Sequence, residues 1–517
     1  MNTKRKVLNK ICILIYLISL IIIFLTKYIN KSFYNVSFDQ LLFSIFNSEG
    51  TSISAIIYGI LYVSFFSVII LLLTLYLNRL NKKYFLNKYF LNIKIKDKRY
   101  KIKLFYFNKY VMLLISIFTL YTSILYTYKT LGIDKFLKSQ KQSTKLFETD
   151  YTNPKDVKIT FPKRKQNLIY IFIESLETSA TSIENGGIQN ESYIPKLEKL
   201  AVENINFSNS DKLGGALPIT GAGWTAAAMI AQTSGVNLNI PIDGNMYKGF
   251  GSFLPGATSI GDILKDNGYK NYIMMGSDAN FGGRKEYFEE HGNYEIYDLY
   301  WARKQKYIDD DYYVWWGFED SKLFEFAKKE LTRISNNDEP FNFTMLTADT
   351  HFVDGYQDKK CKNKFKSKYA NVHFCNDTMI YNFINWIKKQ DFYQNTTIVL
   401  VGDHLTMQKN FYTNLDKDYN RSIFNVIINS RINSSNTKNR IFSSIDMYPT
   451  TLASLGVKIE GDKLGLGTNL YSNQKTIFEK YGIEYVNSEL SKKSLYYNNN
   501  ILKDTYYKME EMKNNNQ

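Results

Sequence analysis

The sequence has 517 residues, more than one folding unit usually contains, which suggests two or three units. Hydrophobic residues make up 44% and aromatic residues 16%, which excludes a disordered or fibrous protein, and three cysteines are too few for a disulfide-rich mini-protein or a cysteine-rich zinc array. The net charge of +16 lies almost entirely in residues 1–130, with 18 basic and 3 acidic residues, so we expect no general electrostatic binding of nucleic acid by the remainder.

Three long apolar runs fall in the first quarter of the chain, at about residues 11–26, 54–77 and 110–126. Since about 20 apolar residues span a bilayer as a helix, they predict three transmembrane helices within residues 1–130. The first run is short enough to be a signal peptide. However, no small-residue cleavage site follows it, and Lys27 and Lys31 come soon after it, which favours a retained helix.

The basic residues predict the orientation of these helices. The loop at residues 79–109 carries eleven basic residues against Asp97 alone, and the N-terminus carries Lys4, Arg5, Lys6 and Lys10. Basic loops stay in the cytoplasm. We therefore expect a multi-pass protein of the plasma or inner membrane whose N-terminus is cytoplasmic and whose chain after the third helix is extracytoplasmic.

The rest of the chain divides by composition into three parts. Residues 131–165 are mixed and polar, contain two prolines and predict a linker with one helix at most. Residues 166–475 predict one large extracytoplasmic domain, which holds every candidate site residue named below. Residues 476–517 predict a C-terminal extension that ends in a disordered tail at residues 510–517.

The large domain shows apolar, β-rich runs that alternate with helical stretches. The runs lie at residues 167–175, 272–276, 341–346, 397–402 and 423–428, and the helical stretches at 226–232, 321–331 and 376–388. Near-continuous apolar strands separated by helices are typical of an α/β fold, with a mostly parallel sheet sandwiched by helices. In such sheets ligands bind beyond the carboxyl ends of the strands.

Four of these strands end in polar residues that suit a metal or substrate site. Glu174 ends the first, Asp278 follows the second, His351 follows the third, and Asp403 and His404 end the fourth. Each residue alone is more typical of a turn or a helix cap. Together at one sheet edge, Glu, Asp and His side chains fit a divalent cation such as manganese, magnesium or zinc.

The segment at residues 219–232 (ITGAGWTAAAMIAQ) offers a nucleophile to such a cation. Two glycines predict a tight turn, after which Thr225 opens an alanine-rich helix. A helix N-terminus favours an anion, and a nearby cation lowers the pKa of a hydroxyl further. The alternative is that Thr225 is an ordinary N-cap. The five polar side chains at the strand ends favour the nucleophile instead.

These motifs resemble, as a set, those of the membrane-anchored phosphoglycerol transferases. The order is ESLE, GAGWT, GSDANFGGR, DTHF and GDH, followed by DMYPT and GLGTNL. The resemblance covers about residues 166–471 and implies the alkaline phosphatase/sulfatase fold. The GAGWT and DTHF contexts look closer to phosphoglycerol transferase I of the osmoregulated periplasmic glucans than to lipoteichoic acid synthase.

The resemblance also implies roles for individual residues. Glu174, Thr225, Asp403 and His404 match a single metal site that usually holds manganese. Thr225 further matches a nucleophile that becomes a phosphoglycerol ester.

Three residues near this site are expected to bind substrate. Arg284 matches an arginine that binds the phosphate or glycerol group, His351 matches a substrate-pocket histidine, and we include Asp278 beside them. The lipoteichoic acid synthases carry tryptophan at the position of Gly282. This difference argues against membership of that subgroup.

Chemistry supports the same roles, since phosphoryl transfer needs a positioned nucleophile and positive charge on the phosphate oxygens. We expect glycerol phosphate to move from phosphatidylglycerol to Thr225, releasing diacylglycerol, and then to a hydroxyl of an extracytoplasmic glycan or polymer. His351 would act catalytically by protonating the departing oxygen and deprotonating the acceptor. The alternative for His351 is a structural histidine, and for Arg284 a salt bridge with Glu286 or Glu289.

Cys361 and Cys375 lie 14 residues apart in the domain expected outside the cytoplasm. Disulfides form and persist in oxidising compartments, so we expect this pair to be bonded rather than two buried thiols.

Three other functions remain open at this stage. A phosphoethanolamine transferase of the same superfamily would differ in its donor headgroup. A sulfatase needs Cys or Ser in a C/S-x-P-x-R context, which the sequence lacks. A non-catalytic membrane protein with a sulfatase-like domain would have no reason to keep Glu174, Thr225, Asp403 and His404.

Overall fold

In the computed structural model the protein divides into two compact units, one holding three long helices and the other holding the chain from residue 136 onward. The structure describes residues 2–32, 38, 40–42, 53–80, 90–95, 98–103, 109–239, 252–408, 411–412, 415–416, 418–434 and 436–503. The predicted tail at residues 510–517 lies outside these ranges.

The first unit contains helices α1 (Asn2–Ser32), α2 (Ile53–Leu80) and α3 (Lys109–Thr130). Their apolar stretches Val7–Ser32, Ile57–Leu80 and Val111–Thr130 are each long enough to cross a membrane, which confirms three candidate spans. Hydroxyls join α1 to α3: Ser116 donates to the Cys12 carbonyl at 3.0 Å, and the Thr26 and Thr127 hydroxyls lie 2.8 Å apart.

The basic loop between α2 and α3 contains an antiparallel hairpin that the sequence analysis did not predict. Its strands are β1 (Phe90–Ile95) and β2 (Lys98–Lys103). The rest of this loop lies outside the described residues, and the orientation inferred from its charges stays a prediction.

The second unit is built on a seven-stranded sheet. Its strands are, in chain order, β4 (Asn167–Ile173), β5 (Gly215–Ala216), β6 (Lys270–Met275), β7 (Glu295–Tyr297), β8 (Phe341–Leu346), β9 (Thr396–Gly402) and β10 (Ile423–Ile428), and the short strand β3 (Ile159–Thr160) precedes them outside this sheet. The order of the strands across the sheet is β5-β10-β9-β4-β8-β6-β7. Strands β9, β4, β8, β6 and β7 are parallel, whereas β10 is antiparallel to β9 and β5. The predicted, mostly parallel sheet is confirmed.

Helices cover both faces of the sheet. The helices that follow α3 are, in chain order, α4 (Ile133–Ser139), α5 (Leu146–Asp150), α6 (Pro195–Glu203), α7 (Thr225–Ser234), α8 (Ile260–Asp266), α9 (Arg284–Glu290), α10 (Leu299–Lys304), α11 (Asp320–Ile334), α12 (Lys368–Ile387), α13 (Met447–Ser454), α14 (Ile477–Tyr481) and α15 (Ile483–Leu490).

Strand β4 shows why both faces are covered, because all seven of its residues are buried. Successive side chains of a strand point to opposite faces. Ile169 and Ile171 share a buried cluster with side chains of α6, α11 and α12. Tyr170, between them, donates from its hydroxyl to Gln232 of α7 at 2.9 Å.

The stretch expected as a linker is partly built into the second unit. Strand β3 pairs with β11 (Lys458–Ile459), and the Thr152 N–H donates to the Gly465 carbonyl at 2.8 Å. Residues 463–468 form a further small hairpin, β12 (Lys463–Leu464) with β13 (Gly467–Thr468). The predicted boundary at residue 165 therefore stays a prediction, with ordered contacts on both sides of it.

The C-terminal extension is helical as far as residue 503. Helices α14 and α15 and the turn at Tyr497–Ile501 bury Phe478, Val486 and Tyr497. The Tyr497 hydroxyl donates to the Asn237 carbonyl at 3.0 Å, so this segment covers the chain that follows α7.

Candidate active site

The four polar strand ends of the sequence analysis lie along one edge of the sheet. Strands β9, β4, β8 and β6 are consecutive neighbours and parallel, so their carboxyl ends meet on the same side. The residues that follow them include Asp403, Glu174, His351 and Asp278. The sheet topology therefore brings these four side chains to the same edge of the sheet.

Three of these side chains form a cluster that could hold a metal ion. One ligand atom each from Glu174, Asp403 and His404 lies within 4.8 Å of the other two. Nε2 of His404 lies 3.5 Å from Oε1 of Glu174 and 3.4 Å from Oδ2 of Asp403. All three residues are buried.

The Thr225 hydroxyl lies at the same point. It donates to Oε2 of Glu174 at 3.1 Å and lies 3.4 Å from Nε2 of His404. Trp224 occupies the N-cap of α7, so Thr225 is the first helical residue and not the cap. Unlike the three buried side chains, Thr225 is partly exposed, which leaves its oxygen open to an incoming group.

Tight backbone packing sets the distance between the cluster residues. A Cβ on Gly402, directly before Asp403, would lie 1.9 Å from the Leu176 carbonyl oxygen. Ser175, directly after Glu174, has a φ of 56°, a conformation that is uncommon outside glycine. Its N–H donates to Oδ1 of Asp403 at 2.7 Å and its hydroxyl to Oε1 of Glu174 at 2.6 Å.

Two features of the cluster fit a divalent cation. Nδ1 of His404 donates to the Leu405 carbonyl at 2.8 Å, because a carbonyl only accepts, so in the neutral ring the lone pair is on Nε2, which faces the cluster. Oδ2 of Asp403 is buried without a hydrogen-bond partner among the described residues. Carboxylate, imidazole and hydroxyl ligands suit manganese, magnesium or zinc.

The electrostatics of the cluster show the same need for positive charge. Burial raises the pKa of Asp403 to about 7, and the adjacent charge of Glu174 adds to the effect. Burial also opposes ionisation of Glu174, but the charges of His351 and His404 and two hydroxyl hydrogen bonds outweigh it and lower its pKa. Burial lowers the pKa of His404, but Asp403 and Glu174 raise it by more. Two carboxylates this close ionise together only beside a cation.

His351 lies beside the cluster with one nitrogen engaged. Its Nδ1 donates to the Phe352 carbonyl at 2.6 Å, which leaves Nε2 as the proton-exchanging atom. Its ring packs edge-on against Trp316 with centroids 4.6 Å apart. Burial lowers the pKa of His351, and the charge of Glu174 partly restores it.

Arg284 is held at the start of α9 by backbone acceptors. Its Nε donates to the Phe281 carbonyl at 2.8 Å, and Nη2 donates to the Asp278 carbonyl at 2.7 Å and to the Ser277 hydroxyl at 3.2 Å. Burial lowers its pKa to about 10, so it remains charged at neutral pH. Within the described part of the chain it forms no salt bridge with Glu286 or Glu289, the alternative that the sequence left open.

Asp278 supports the turn that precedes Arg284. Its Oδ1 accepts from both the backbone N–H and the side-chain amide of Asn280, each at 2.8 Å. Gly282 and Gly283 follow with φ of 69° and 67°, the left-handed conformation that glycine adopts without strain. This explains why position 282 carries no side chain. The substrate role of Asp278 stays a prediction.

The structure also shows supporting residues that the sequence analysis missed. Glu177 and Arg421 form a buried ion pair at 2.5 Å, and Glu177 also accepts from the Thr406 N–H at 3.1 Å. The Gln232 amide of α7 donates to the Asp403 carbonyl at 3.2 Å. Glu177 and Arg421 lie far apart in sequence, so the sequence does not reveal their pairing. The one signal for Glu177 is its place in the ESLE motif, three residues after Glu174.

The loop after His351 is tied to helix α12 by a disulfide between Cys361 and Cys375, whose Cα atoms lie 5.5 Å apart. Cys12, in the first helix, is a free buried cysteine.

Comparison with known proteins adds family information to this geometry. The family described as Sulfatase matches residues 166–457. Phosphoglycerol transferase I of Salmonella choleraesuis is 32% identical over 61% of this chain and 40% of its own length, and that of Escherichia coli O157:H7 is 32% identical over 66% and 43%. The chain thus spans about two fifths of the length of the curated relatives it matches.

Among solved structures, lipoteichoic acid synthase LtaP from Listeria monocytogenes is similar with a TM-score of 0.47 and 20% identity, over 61% of this chain and 79% of LtaP. Lipooligosaccharide phosphoethanolamine transferase A from Neisseria meningitidis is similar with a TM-score of 0.49 and 13% identity, over 86% and 83% of the two chains.

Proposed function

The chain belongs to the sulfatase family, and from this premise we propose that it is a metal-dependent phosphoglycerol transferase. It would move glycerol phosphate from phosphatidylglycerol, through an ester on Thr225, to a hydroxyl of an extracytoplasmic glycan or polymer. The relatives named phosphoglycerol transferase I support phosphoglycerol as the transferred group. The observation that carries the proposal is the Thr225 hydroxyl, 3.1 Å from Glu174 and 3.4 Å from His404 at the N-terminus of α7.

Glu174, Asp403, His404 and Thr225 would hold one divalent cation, which we propose to be manganese. When bound, such an ion supplies positive charge that lowers the pKa of a hydroxyl and stabilises charge on phosphate oxygens. Ser175 fixes the two carboxylates through its N–H and hydroxyl, and the Leu405 carbonyl fixes the tautomer of His404.

Thr225 is positioned to attack phosphorus. Its proton is already shared with Oε2 of Glu174, and the free N–H groups at the start of α7 favour the negative charge that develops on its oxygen. Threonine at the first helical position, rather than at the N-cap, leaves the hydroxyl free of a capping bond.

Arg284 would bind the phosphate of the donor lipid, and His351 would act on its departing diacylglycerol oxygen. Three hydrogen bonds to Phe281, Asp278 and Ser277 use Nε and Nη2 and orient the Arg284 guanidinium, so Nη1 would be the nitrogen that donates to a phosphate oxygen. His351 would give a proton from Nε2 to the departing diacylglycerol oxygen and later take one from the acceptor hydroxyl. Its lowered pKa favours release of that proton near neutral pH.

The three apolar helices suit a lipid donor, because an anchored domain works where the headgroups are concentrated. The extracytoplasmic side for this domain is proposed from the charge of the loop at residues 79–109.

Parallel assays with two headgroup-labelled lipids test the proposal. The full chain in liposomes with Mn²⁺ is given labelled phosphatidylglycerol or labelled phosphatidylethanolamine. We expect label transfer and diacylglycerol release with phosphatidylglycerol only, and none by Thr225→Ala. Transfer from phosphatidylethanolamine instead would establish the other transferase, and equal activity of Thr225→Ala would refute the covalent mechanism.

A further inference from the structure

A lysine-rich surface lies on the loop that follows His351, and no step of the proposed reaction uses it. The lysine segment at residues 359–368 (KKCKNKFKSK) contains six lysines and no acidic residue. All six are exposed, and among the described residues only Lys364 forms an ion pair, with Glu191. The chain from residue 131 onward carries 47 basic and 46 acidic residues, so the lysine segment concentrates positive charge in a part of the chain that is close to neutral.

The backbone of the lysine segment is fixed on helix α12. Cys361 is bonded to Cys375 of the helix. The Asn371 side chain accepts from the N–H groups of Lys364 and Phe365 at 2.8 and 2.7 Å, and it donates to the Phe365 carbonyl at 2.8 Å. Blocks of like charge are usually disordered because they repel each other. Here the backbone is held in place, so less conformational entropy is lost when a ligand binds the lysines.

Lysines from neighbouring helices extend this charge around a cavity of about 610 Å³. The lysines of its lining come from α6, α11 and the lysine segment, and they are Lys196, Lys328, Lys360 and Lys362. Phe374 of α12 also lines the cavity, and Nζ of Lys364 lies 4.9 Å from the centre of that ring. Five lysines therefore converge on one part of the surface.

The acidic residues that line this cavity leave a net positive charge. Glu325 pairs with Lys329 of its own helix at 3.0 Å. Asp358 is buried and accepts from the Lys360 N–H at 2.8 Å. Five converging lysines exceed these two carboxylates, so this part of the surface suits an anionic ligand.

An exposed apolar side chain lies on the same loop. Val353, two residues after His351, is 52% exposed. Its loop is tied to the lysine segment by Gln357, whose side-chain amide donates to Oδ1 of Asn363 at 2.6 Å. A soluble polyanion gains nothing from an apolar side chain, whereas the surface of an anionic bilayer binds basic and apolar side chains together. This combination favours a bilayer as the ligand.

The lysine segment lies at the same edge of the sheet as the candidate active site. Helix α12 connects β8 to β9, which are both parallel to β4, so the helix returns from the carboxyl edge of the sheet to the amino edge. The lysine segment ends at the first residue of α12 and therefore lies at the carboxyl edge. Lys388 and Lys389 follow the helix at the opposite edge, about 30 Å away, because a helix rises about 1.5 Å per residue over its 20 residues.

We propose that the lysine segment, together with Lys196, Lys328 and Val353, docks this domain on a bilayer that contains anionic phospholipids. The ammonium groups bind headgroup phosphates, and Val353 enters the interface. The same chain carries three helices long enough to cross a membrane, so a bilayer is the anionic surface most constantly available to it. This inference goes beyond the proposed function and does not depend on which group the protein transfers.

Lysine footprinting of the full chain in liposomes tests the docking. A membrane-impermeant acetylating reagent modifies exposed amines, and mass spectrometry gives a rate for each lysine on outward-facing domains. Phosphatidylcholine liposomes are compared with liposomes that contain about one third phosphatidylserine, which is anionic but is not the proposed donor. We expect the lysine segment to react about three- to tenfold more slowly with phosphatidylserine, and the slowing to vanish in about 0.5 M NaCl, where the Debye length falls to about 4 Å. Lys388 and Lys389 should react equally in both liposomes.

Charge reversals at the two ends of α12 form a matched pair of variants. Lys366→Glu/Lys368→Glu and Lys388→Glu/Lys389→Glu each change the net charge by four units. Since each charge near an anionic surface alters binding about fivefold, the first variant should weaken docking about 600-fold and return the other four lysines to their rates without phosphatidylserine. The second variant should keep the protection of all six. Carboxylates are favourable at a helix N-terminus, so the first variant should retain the wild-type unfolding midpoint.

Three results would overturn the inference. Equal rates in the two kinds of liposome would show that the domain does not dock on anionic lipid. Protection that the first variant keeps, or that the second variant loses, would place the contact elsewhere. Protection by added polyphosphate but not by phosphatidylserine would identify a soluble polyanion as the ligand. The proposed transfer is measured separately, by the assays with labelled lipids.

Discussion

At the scale of single residues, the site separates the residues suited to hold an ion from those suited to handle substrate. Glu174, Asp403 and His404 are buried and share one point, whereas Thr225 and His351 are partly exposed around it. The two histidines have the same tautomer, each with Nδ1 bound to a backbone carbonyl, but only His404 directs Nε2 at both carboxylates.

This difference predicts opposite behaviour of two matched variants. His404→Gln removes a proposed metal ligand and should weaken Mn²⁺ binding at least about 100-fold, since the loss of a group that only hydrogen-bonds to a ligand already lowers metal affinity about 10- to 100-fold. His351→Gln should keep the Mn²⁺ affinity but slow diacylglycerol release about 10²- to 10⁴-fold, the usual contribution of a proton-transfer group. Calorimetric titration with Mn²⁺ and a lipid-release assay measure the two effects. Equal Mn²⁺ affinities in the two variants would contradict the division of roles.

The cluster of Glu174, Asp403 and His404 was predictable from residue type and position at the ends of strands, because parallel strands bring their carboxyl ends together. Ser175 was not predictable in this way. Its role depends on a φ of 56° and on a backbone N–H directed at Asp403, neither of which a serine in a sequence reveals. The Arg421 partner of Glu177 was missed for a similar reason, since 244 residues separate the pair.

At the scale of elements, short turns determine where the reactive side chains lie. Arg284 begins α9 directly after two glycines in the left-handed conformation. A Cβ on Gly283 would lie 2.5 Å from Cε2 of Phe253, so both conformation and space require glycine there.

Gly283→Ala should therefore displace Arg284. Left-handed backbone costs a non-glycine residue about 1–2 kcal/mol before the clash is counted. We expect a lower thermal unfolding midpoint and a higher KM for phosphatidylglycerol. Gly223→Ala is the matched control, because Gly223 has no Cβ neighbour within 4 Å and needs no positive φ, so its stability should not change. Equal unfolding midpoints for the two variants would argue against this account of the turn.

The disulfide is a second constraint at this scale. Closing a loop of this length stabilises a protein by roughly 3 kcal/mol. Cys361→Ser should lower the unfolding midpoint and make it insensitive to reductant, whereas wild type should lose stability when reduced. Cys12→Ser, which removes the free cysteine, should behave as wild type. A wild-type midpoint that reductant does not change would show that the bond contributes nothing to stability.

The apolar strands followed from the sequence to within two residues at each end. Strands β8 and β10 have the predicted bounds, β4 and β9 differ from them at one end, and β6 differs at both. The helices were less exact, since α12 begins eight residues before the predicted stretch 376–388. The three-residue strand β7, the two-residue β5 and the hairpin in the basic loop were not predicted. Strands of two or three residues carry too little periodicity to be distinguished from loops, and pairing with neighbours defines them instead. The hairpin strands have six residues each, but they are rich in lysine and were interpreted only as a basic loop.

At the scale of the whole molecule, three apolar helices and a sulfatase-family domain occur in one chain. The proposed transfer requires the domain to lie on the same side of the membrane as the proposed acceptor. The basic loop at residues 79–109 predicts that side.

Single-cysteine labelling in intact cells checks the orientation. In a chain with Cys12→Ser, a cysteine at the exposed position Lys199 should react with a membrane-impermeant reagent in intact cells. A cysteine at Asp97 should react only after permeabilisation. The reverse pattern would place the catalytic domain in the cytoplasm and contradict both the orientation and the proposed acceptor.

The most direct test of the central claim is the covalent state of Thr225. The full chain is incubated with phosphatidylglycerol and Mn²⁺ without acceptor, digested and examined by mass spectrometry. We predict a mass gain of one glycerol phosphate on the peptide that contains Thr225, accompanied by diacylglycerol and absent when Mn²⁺ is chelated. Diacylglycerol release with an unmodified Thr225 peptide, or the same adduct on another residue, would contradict the account.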